Sequence, residues 1–210
     1  MHSEQAGVAQ PLPVVIVGAG LAGLTVALHL ANQGQQVVVL AKRTLGEGAT
    51  PWAQGGIVGV LGTDDSIDSH VRDTQDAGAG LVDEETARFI AEHSAQAIEW
   101  LVAQGVPFSP DPQGPLGLHL TREGGHAVRR IAHAADATGK AIHDALLKVA
   151  QAHPLVSLRE RWMAVDLITH HHLGRFDDPN ARRVHGIYAD RKSTRLNSSH
   201  SQQSRMPSSA

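Results

Sequence analysis

The stretch Gly18-Ala19-Gly20-Leu21-Ala22-Gly23 spaces three glycines as G-x-G-x-x-G, directly after a β-branched run and at the start of a segment with helical periodicity. Each glycine has a separate use. Gly18 permits a tight turn, Gly20 lets the backbone approach a pyrophosphate, and Gly23 lets the helix pack close to the strand, so that the partial positive end of the helix faces the phosphates. The chemistry is that of dinucleotide binding. Such turns are usually followed, about 20 residues on, by an acidic residue that binds the ribose hydroxyls. Here Ala41-Lys42 stands at that place, so the ribose contact must come from elsewhere, and Lys42 is a candidate for the adenosine side. The turn alone does not separate a nicotinamide from a flavin dinucleotide.

The elements that must hold this turn are legible nearby. Residues 14–17 and 37–40 are short all-apolar runs, and residues 21–33 carry apolar positions at helical spacing until Gly34. Together they predict a βαβ unit whose strands are buried on both faces. Residues 43–62, rich in glycine, threonine and small side chains, read as a long functional loop. Helices are expected over 66–78, with Asp64 or Asp65 as N-cap, over 84–104 with Asp83 as N-cap, and over 138–153. The first two should end near Gly78 and Gly105. Residues 106–125 read as a loop or hairpin, and 155–158, 163–169 and 183–189 as strands. The fold class is therefore α/β, with a βαβ unit, helices and a late β-meander or hairpin, and there is no internal repeat.

Composition narrows the function. The chain has 210 residues, 41% of them hydrophobic, but no apolar run approaches the roughly 20 residues that cross a bilayer. The first thirteen residues lack the pattern of a secretory signal and read as a disordered N-terminus, making the cytoplasm the default address. There is no cysteine, which excludes disulfides, thiolate metal sites and a cysteine-linked cofactor. A net charge of −3 and 3% aromatic residues give no reason to expect nucleic acid. Arg191 to Ala210 holds seven serines and four basic but no acidic residues. It cannot build a packed element, and from Asp190 to His200 it resembles the in-frame translation of a sequencing-library adapter. Residues 191–210 are accordingly expected to be a disordered, non-native tail behind a domain segment spanning 14–190.

Two further stretches and a third that follows them settle the class of dinucleotide. Ala49-Thr50-Pro51-Trp52-Ala53-Gln54-Gly55-Gly56, Asp65-Ser66-Ile67-Asp68-Ser69-His70 and His119-Leu120-Thr121-Arg122-Glu123-Gly124-Gly125-His126 occur in that order. With the glycine turn they resemble the flavoproteins of the succinate dehydrogenase and fumarate reductase superfamily, and within it the L-aspartate oxidases, over about residues 14–188. The resemblance implies an incomplete Rossmann-like FAD-binding domain, whose capping and C-terminal helical domains are missing. In that family the Gln54-Gly55-Gly56 segment, with Ala53 before it, lies against the isoalloxazine. Relatives that attach FAD covalently do so through a histidine at the place of Ala49, so the FAD implied here is non-covalent. Val165, in Ala164-Val165-Asp166, falls where family backbone groups meet the adenine.

The reaction implied is oxidation of L-aspartate to iminoaspartate, with oxygen or fumarate as acceptor, the first step of NAD biosynthesis and upstream of quinolinate synthase. Glu123 replaces an apolar aromatic residue of dicarboxylate dehydrogenases, and a carboxylate there would orient the substrate ammonium. The alternatives are the flavoprotein subunit of a succinate or fumarate enzyme, or an inactive, incomplete FAD-binding fragment, since the family's proton-transferring arginine lies beyond residue 190. No metal is expected. His133-Ala134-Ala135-Asp136 reads as the start of a packed helix rather than a metal or dyad motif, and His170-His171-His172 reads as surface.

Overall fold

The computed structural model describes residues 12–174 and 183–191; the rest of the expected N-terminus and of the expected tail lies outside the described residues. Strand β1 (Val14–Val17), helix α1 (Leu21–Asn32) and strand β2 (Val37–Ala41) form the predicted βαβ unit. Val14 pairs with Val37 and Val17 with Leu40 in parallel register. The third strand of this sheet is β6 (Val156–Glu160), parallel to β2 from Val37↔Val156 to Ala41↔Glu160. The order β1-β2-β6 leaves only β2 flanked on both sides. Val37, Val39, Leu40 and Ala41 are accordingly buried, whereas Val14, Val15 and Val17 of β1 are exposed. The expectation of burial on both faces thus fails for β1: among the described residues it is an edge strand.

Helices α2 (Ile67–Gly78), α3 (Glu84–Ala103) and α4 (Thr138–Ala152) stand close to their expected bounds. Leu24 and Leu28 of α1, Ile98 and Leu101 of α3, and Ile142, Leu146 and Ala150 of α4 share the main core. Asp83 caps α3, accepting from the Thr86 amide at 2.8 Å. The cap of α2 differs from expectation: Ser66 accepts from the Ser69 amide at 3.1 Å, because the Asp65 carboxylate is engaged by Arg130. Gly78 is still helical. A Cβ on it would collide with the Val82 side chain, and the helix turns off one residue later at Ala79, in the left-handed region at φ 48°.

The presumed loop over 43–62 contains a 3₁₀ turn, Thr50–Trp52, and the short strand β3 (Ile57–Val58). With β4 (Leu120–Thr121) and β5 (Ile131–Ala132) it makes a small antiparallel sheet in the order β3-β5-β4. The chain reaches α4 differently than predicted. His133 to Asp136 precede the helix: Ala135 has φ 45°, and the Thr138 hydroxyl accepts from the Ala134 amide at 3.0 Å. Strands β7 (Trp162–Thr169) and β8 (Val184–Arg191) form the late hairpin, while β6 leaves that meander for the parallel sheet. His170 is buried rather than at the surface, stacked on His185 with ring centroids 4.6 Å apart. Among the described residues no helix is long and apolar enough to cross a membrane, and no cluster of histidine, aspartate and glutamate could hold a metal.

Arg130, fully buried just before β5, joins the small sheet to α2. Its Nε and one terminal nitrogen grip both oxygens of Asp65 at 2.9 and 2.8 Å. The remaining bonds go to Ser69 Oγ at 3.0 Å, to Asp73 at 2.7 Å and to His70 Nδ1 at 3.1 Å. Arginine only donates, so His70 must accept at Nδ1 and be neutral. Burial, reinforced by the nearby Arg130 and His126 and opposed by Asp65 and Asp73, holds the His70 pKa below its ordinary value. Burial would raise the Asp73 carboxyl, but the Ala127 amide and Arg130 outweigh it and hold it low.

Two outcomes are expected. Arg130→Ala strands Asp65 and Asp73 without their cation and should cost about 3–5 kcal/mol in denaturant unfolding; a loss under about 1 kcal/mol would contradict the role given to this cluster. In wild type the unfolded chain protonates His70 before the folded one does, so stability is intact above about pH 6.5 and falls as pH drops from there. Asp73 adds a second loss below about pH 4, as the pH falls through its depressed folded value. His70→Gln should abolish the first decline and keep the second; unfolding curves with the same two-stage acid profile in both proteins would refute the assignment.

Candidate functional site

The glycine turn sits at the C-terminal edge of the parallel sheet. Gly18 has φ 108°, a conformation for which glycine is suited, and its amide donates to the Leu40 carbonyl at 2.8 Å, tying the turn to β2. A Cβ on Gly23 would strike the Gly18 carbonyl oxygen; this glycine serves helix-to-turn packing. Gly20 is the N-cap of α1 and makes no side-chain cap bond. Its missing Cβ faces only the Thr50 hydroxyl, at 3.3 Å.

Thr50 brings the second predicted segment onto the first. Its hydroxyl accepts from the Leu21 amide at 3.1 Å, taking up one of the donors at the start of α1. The segment is fastened at its other end by α4, whose Gly139 donates its amide to the Ala53 carbonyl at 3.0 Å. Any side chain on Gly139 would run into the Thr50 carbonyl and the Ala53 methyl. Gly56 is equally confined, by Ile131 and the Ala132 carbonyl, while Gly55 has open space where a Cβ would be. Between these anchors Trp52, Ala53, Gln54 and Gly55 are exposed; Trp52 is 81% exposed. Small residues with their backbone uncovered, beside a helix N-terminus, fit a large planar group joined to a pyrophosphate.

A third element supports the turn from beneath and was missed in the sequence. His143 of α4, 1% exposed, donates Nε2–H to the Ala19 carbonyl at 2.9 Å across 124 residues. Only the helical spacing of α4 signalled that this position faces inward.

Other predicted residues are placed less closely. Lys42 follows β2 at the same sheet edge as the turn and is exposed. Ala49 is exposed and precedes the 3₁₀ turn. Val165 stands in a bulge of β7, skipped by the register between Ala164 and Asp166, and is 62% exposed. Among the described residues it shares neither a sheet nor a hydrogen bond with the glycine turn. Glu123 is exposed in the turn joining β4 to β5, where its carbonyl accepts from the His126 amide at 3.3 Å. Beside it lies a polar cavity of about 820 Å³ lined by Asp64, His119, Thr121, Arg122 and the 127–129 segment with Arg129. Glu123 does not line this cavity, but its neighbours Thr121 and Arg122 do.

Comparison with known proteins bears on the family and the fold. The model of the family described as FAD binding domain matches residues 13–205. The chain is 55% identical over 175 residues to L-aspartate oxidase 1 of Ralstonia nicotianae, covering 83% of this chain and 32% of that protein. It is 48% identical over 178 residues to L-aspartate oxidase of Vibrio cholerae, with the same coverage. The chain thus spans about a third of the length of these relatives. Among solved structures it resembles a variant quinol fumarate reductase of E. coli, with TM-score 0.72, 26% identity, and coverage of 84% of this chain and 28% of that one. The Sdh1 complex of Mycobacterium smegmatis also aligns with TM-score 0.72, at 25% identity, over 85% of this chain and 31% of that one.

The anchoring of residues 50–56 has a measurable consequence. Gly139→Ala must push Thr50 and Ala53 outward, and FAD affinity, read by flavin fluorescence, should fall by about tenfold or more, a loss of about 1.4 kcal/mol. Unchanged affinity would mean that this segment does not touch the cofactor. The glycine turn, the clamped small-residue segment and the span of the match lead to one conclusion: the chain belongs to the FAD binding domain family.

Proposed function

We propose that this chain is the cofactor-binding segment of a flavoenzyme that oxidises L-aspartate to iminoaspartate, with oxygen or fumarate taking up the electrons. FAD, when bound, supplies the two-electron acceptor. The protein's own residues bind and orient. Gly18, Ala19, Gly20, Leu21, Ala22 and Gly23 receive the pyrophosphate at the start of α1, with Lys42 on the adenosine side and Val165 toward the adenine. Thr50, Pro51, Trp52, Ala53, Gln54, Gly55 and Gly56 lie along the ring system. Ala49 carries no group able to bond covalently to the flavin, so the cofactor is held non-covalently.

The observation that carries the substrate assignment is the segment from His119 to Arg129. It sets an exposed carboxylate, Glu123, next to a cavity lined by Arg122, Arg129 and His119. Guanidinium groups suit carboxylates, and a carboxylate suits an ammonium. An amino dicarboxylate satisfies both. A succinate- or fumarate-directed flavoprotein is the second reading, favoured by the similarity of the fold to quinol fumarate reductase; it would have no ammonium for Glu123 to meet.

The two readings part in one experiment on the full-length protein. Glu123→Ala should lower kcat/KM for aspartate by about tenfold or more while leaving succinate binding within about twofold, and acid precipitation should release all the flavin. Equal losses for aspartate and succinate would refute the ammonium role, and flavin retained on the precipitate would refute non-covalent attachment.

A further inference from the structure

We propose that Ser109 and His133 fix the imidazole of His119 as a hydrogen-bond donor to a carboxylate in the polar cavity, which makes His119 a substrate-positioning residue. The inference rests on the dicarboxylate reading above and concerns a group to which that reading gives no oriented role.

Three backbone segments bring the groups together. The Ser109 amide donates to the His133 carbonyl at 2.7 Å, and the His119 amide donates to the Ser109 carbonyl at 2.9 Å. The side chains then form a row. The Ala135 amide points at Ser109 Oγ, 3.5 Å away; Ser109 Oγ lies 3.4 Å from His133 Nδ1; and His133 Nε2 lies 2.9 Å from His119 Nδ1. The two rings meet edge to face, with centroids 5.2 Å apart.

The polarity of the row follows from its first member. An amide can only donate, so Ser109 Oγ accepts from Ala135; the polarity that the proposal assigns has the hydroxyl give its own proton to His133 Nδ1. A neutral His133 that accepts at Nδ1 carries its proton at Nε2 and donates it to His119 Nδ1. A neutral His119 that accepts at Nδ1 must carry its own proton at Nε2. His119 lines the cavity, and this nitrogen is the one His133 leaves available. Its ring therefore offers an N–H. Two guanidinium groups, from Arg122 and Arg129, share the lining with a single carboxylate, Asp64. That excess of positive charge and donors selects an anionic oxygen as the ligand for His119. Without the row, a neutral histidine could equally present a lone pair, which would repel a carboxylate.

The test uses full-length flavin-loaded protein with 15N-labelled histidine, observed at mildly alkaline pH, with succinate and aspartate as probes. The His119 ring should be protonated at Nε2 and bare at Nδ1, and either probe should shift the Nε2 signal. His133→Leu removes the orienting donor and should mix the His119 tautomers. It should weaken succinate and raise KM for aspartate by the same factor, about tenfold. His133→Gln, whose side-chain amide can still donate to His119, should restore most of the loss. A His119 proton on Nδ1, or equal succinate affinity in His133→Leu, His133→Gln and wild type, would overturn the proposal. Failure of the aspartate reading looks different: aspartate would not be oxidised, yet succinate would still shift the His119 signal.

Discussion

A guanidinium at zero exposure is the constraint around which the middle of this protein is arranged. Arg130 has five N–H groups and five hydrogen bonds, with none left over. Burying a charge is tolerable only when its donors are satisfied this completely. The bonds determine the neighbourhood: they take Asp65 away from capping duty, leave Ser66 to begin α2, and hold His70 neutral. They also pin the start of β5 against α2. Since β5 is the middle strand of the small sheet, the same cluster fixes the segments on either side of it, residues 119–129 with their cavity and residues 56–59 leading back to the clamped 50–56 segment.

The parts of the fold written in short-range pattern were readable in advance. The β1–α1–β2 unit depends on contiguous apolar runs and on glycines a few residues apart, and α3 on a cap three residues from its partner. The errors cluster where a distant group competes for a local one. Asp65 has the right chemistry for an N-cap, but its partner in the structure lies 65 residues away. His170 looks like part of a solvated tract until β8 brings His185 across it. For β1, the missing information was sheet order: a run of valines says that a strand is apolar, not how many neighbours it has.

The candidate site divides in the same way. The glycine turn was visible from its spacing and Thr50 from the stretch that carries the family resemblance, whereas the bond Thr50 makes to the turn, and His143 beneath it, had no recognisable pattern. A threonine hydroxyl's reach to a distant helix start and a histidine on an amphipathic helix are not written in local sequence. They become part of the site only because α4 crosses behind the turn and the 50–56 segment folds over it. The Ser109, His119 and His133 row is likewise assembled by backbone pairing among three separated segments.

The location of His143 and β6 also governs the order in which the site can mature. The turn is made near the beginning of the chain, yet the donor to its Ala19 carbonyl arrives 124 residues later, and the second neighbour of β2 later still. Contacts that close such long loops form late, because the entropy of closure must be overcome before the contacts can repay it. During synthesis the first βαβ unit therefore emerges with β2 open along one edge and the turn unsupported. A chain stopped before α4 therefore carries the glycine turn complete in sequence but without the buried donor to its Ala19 carbonyl or the second neighbour of β2.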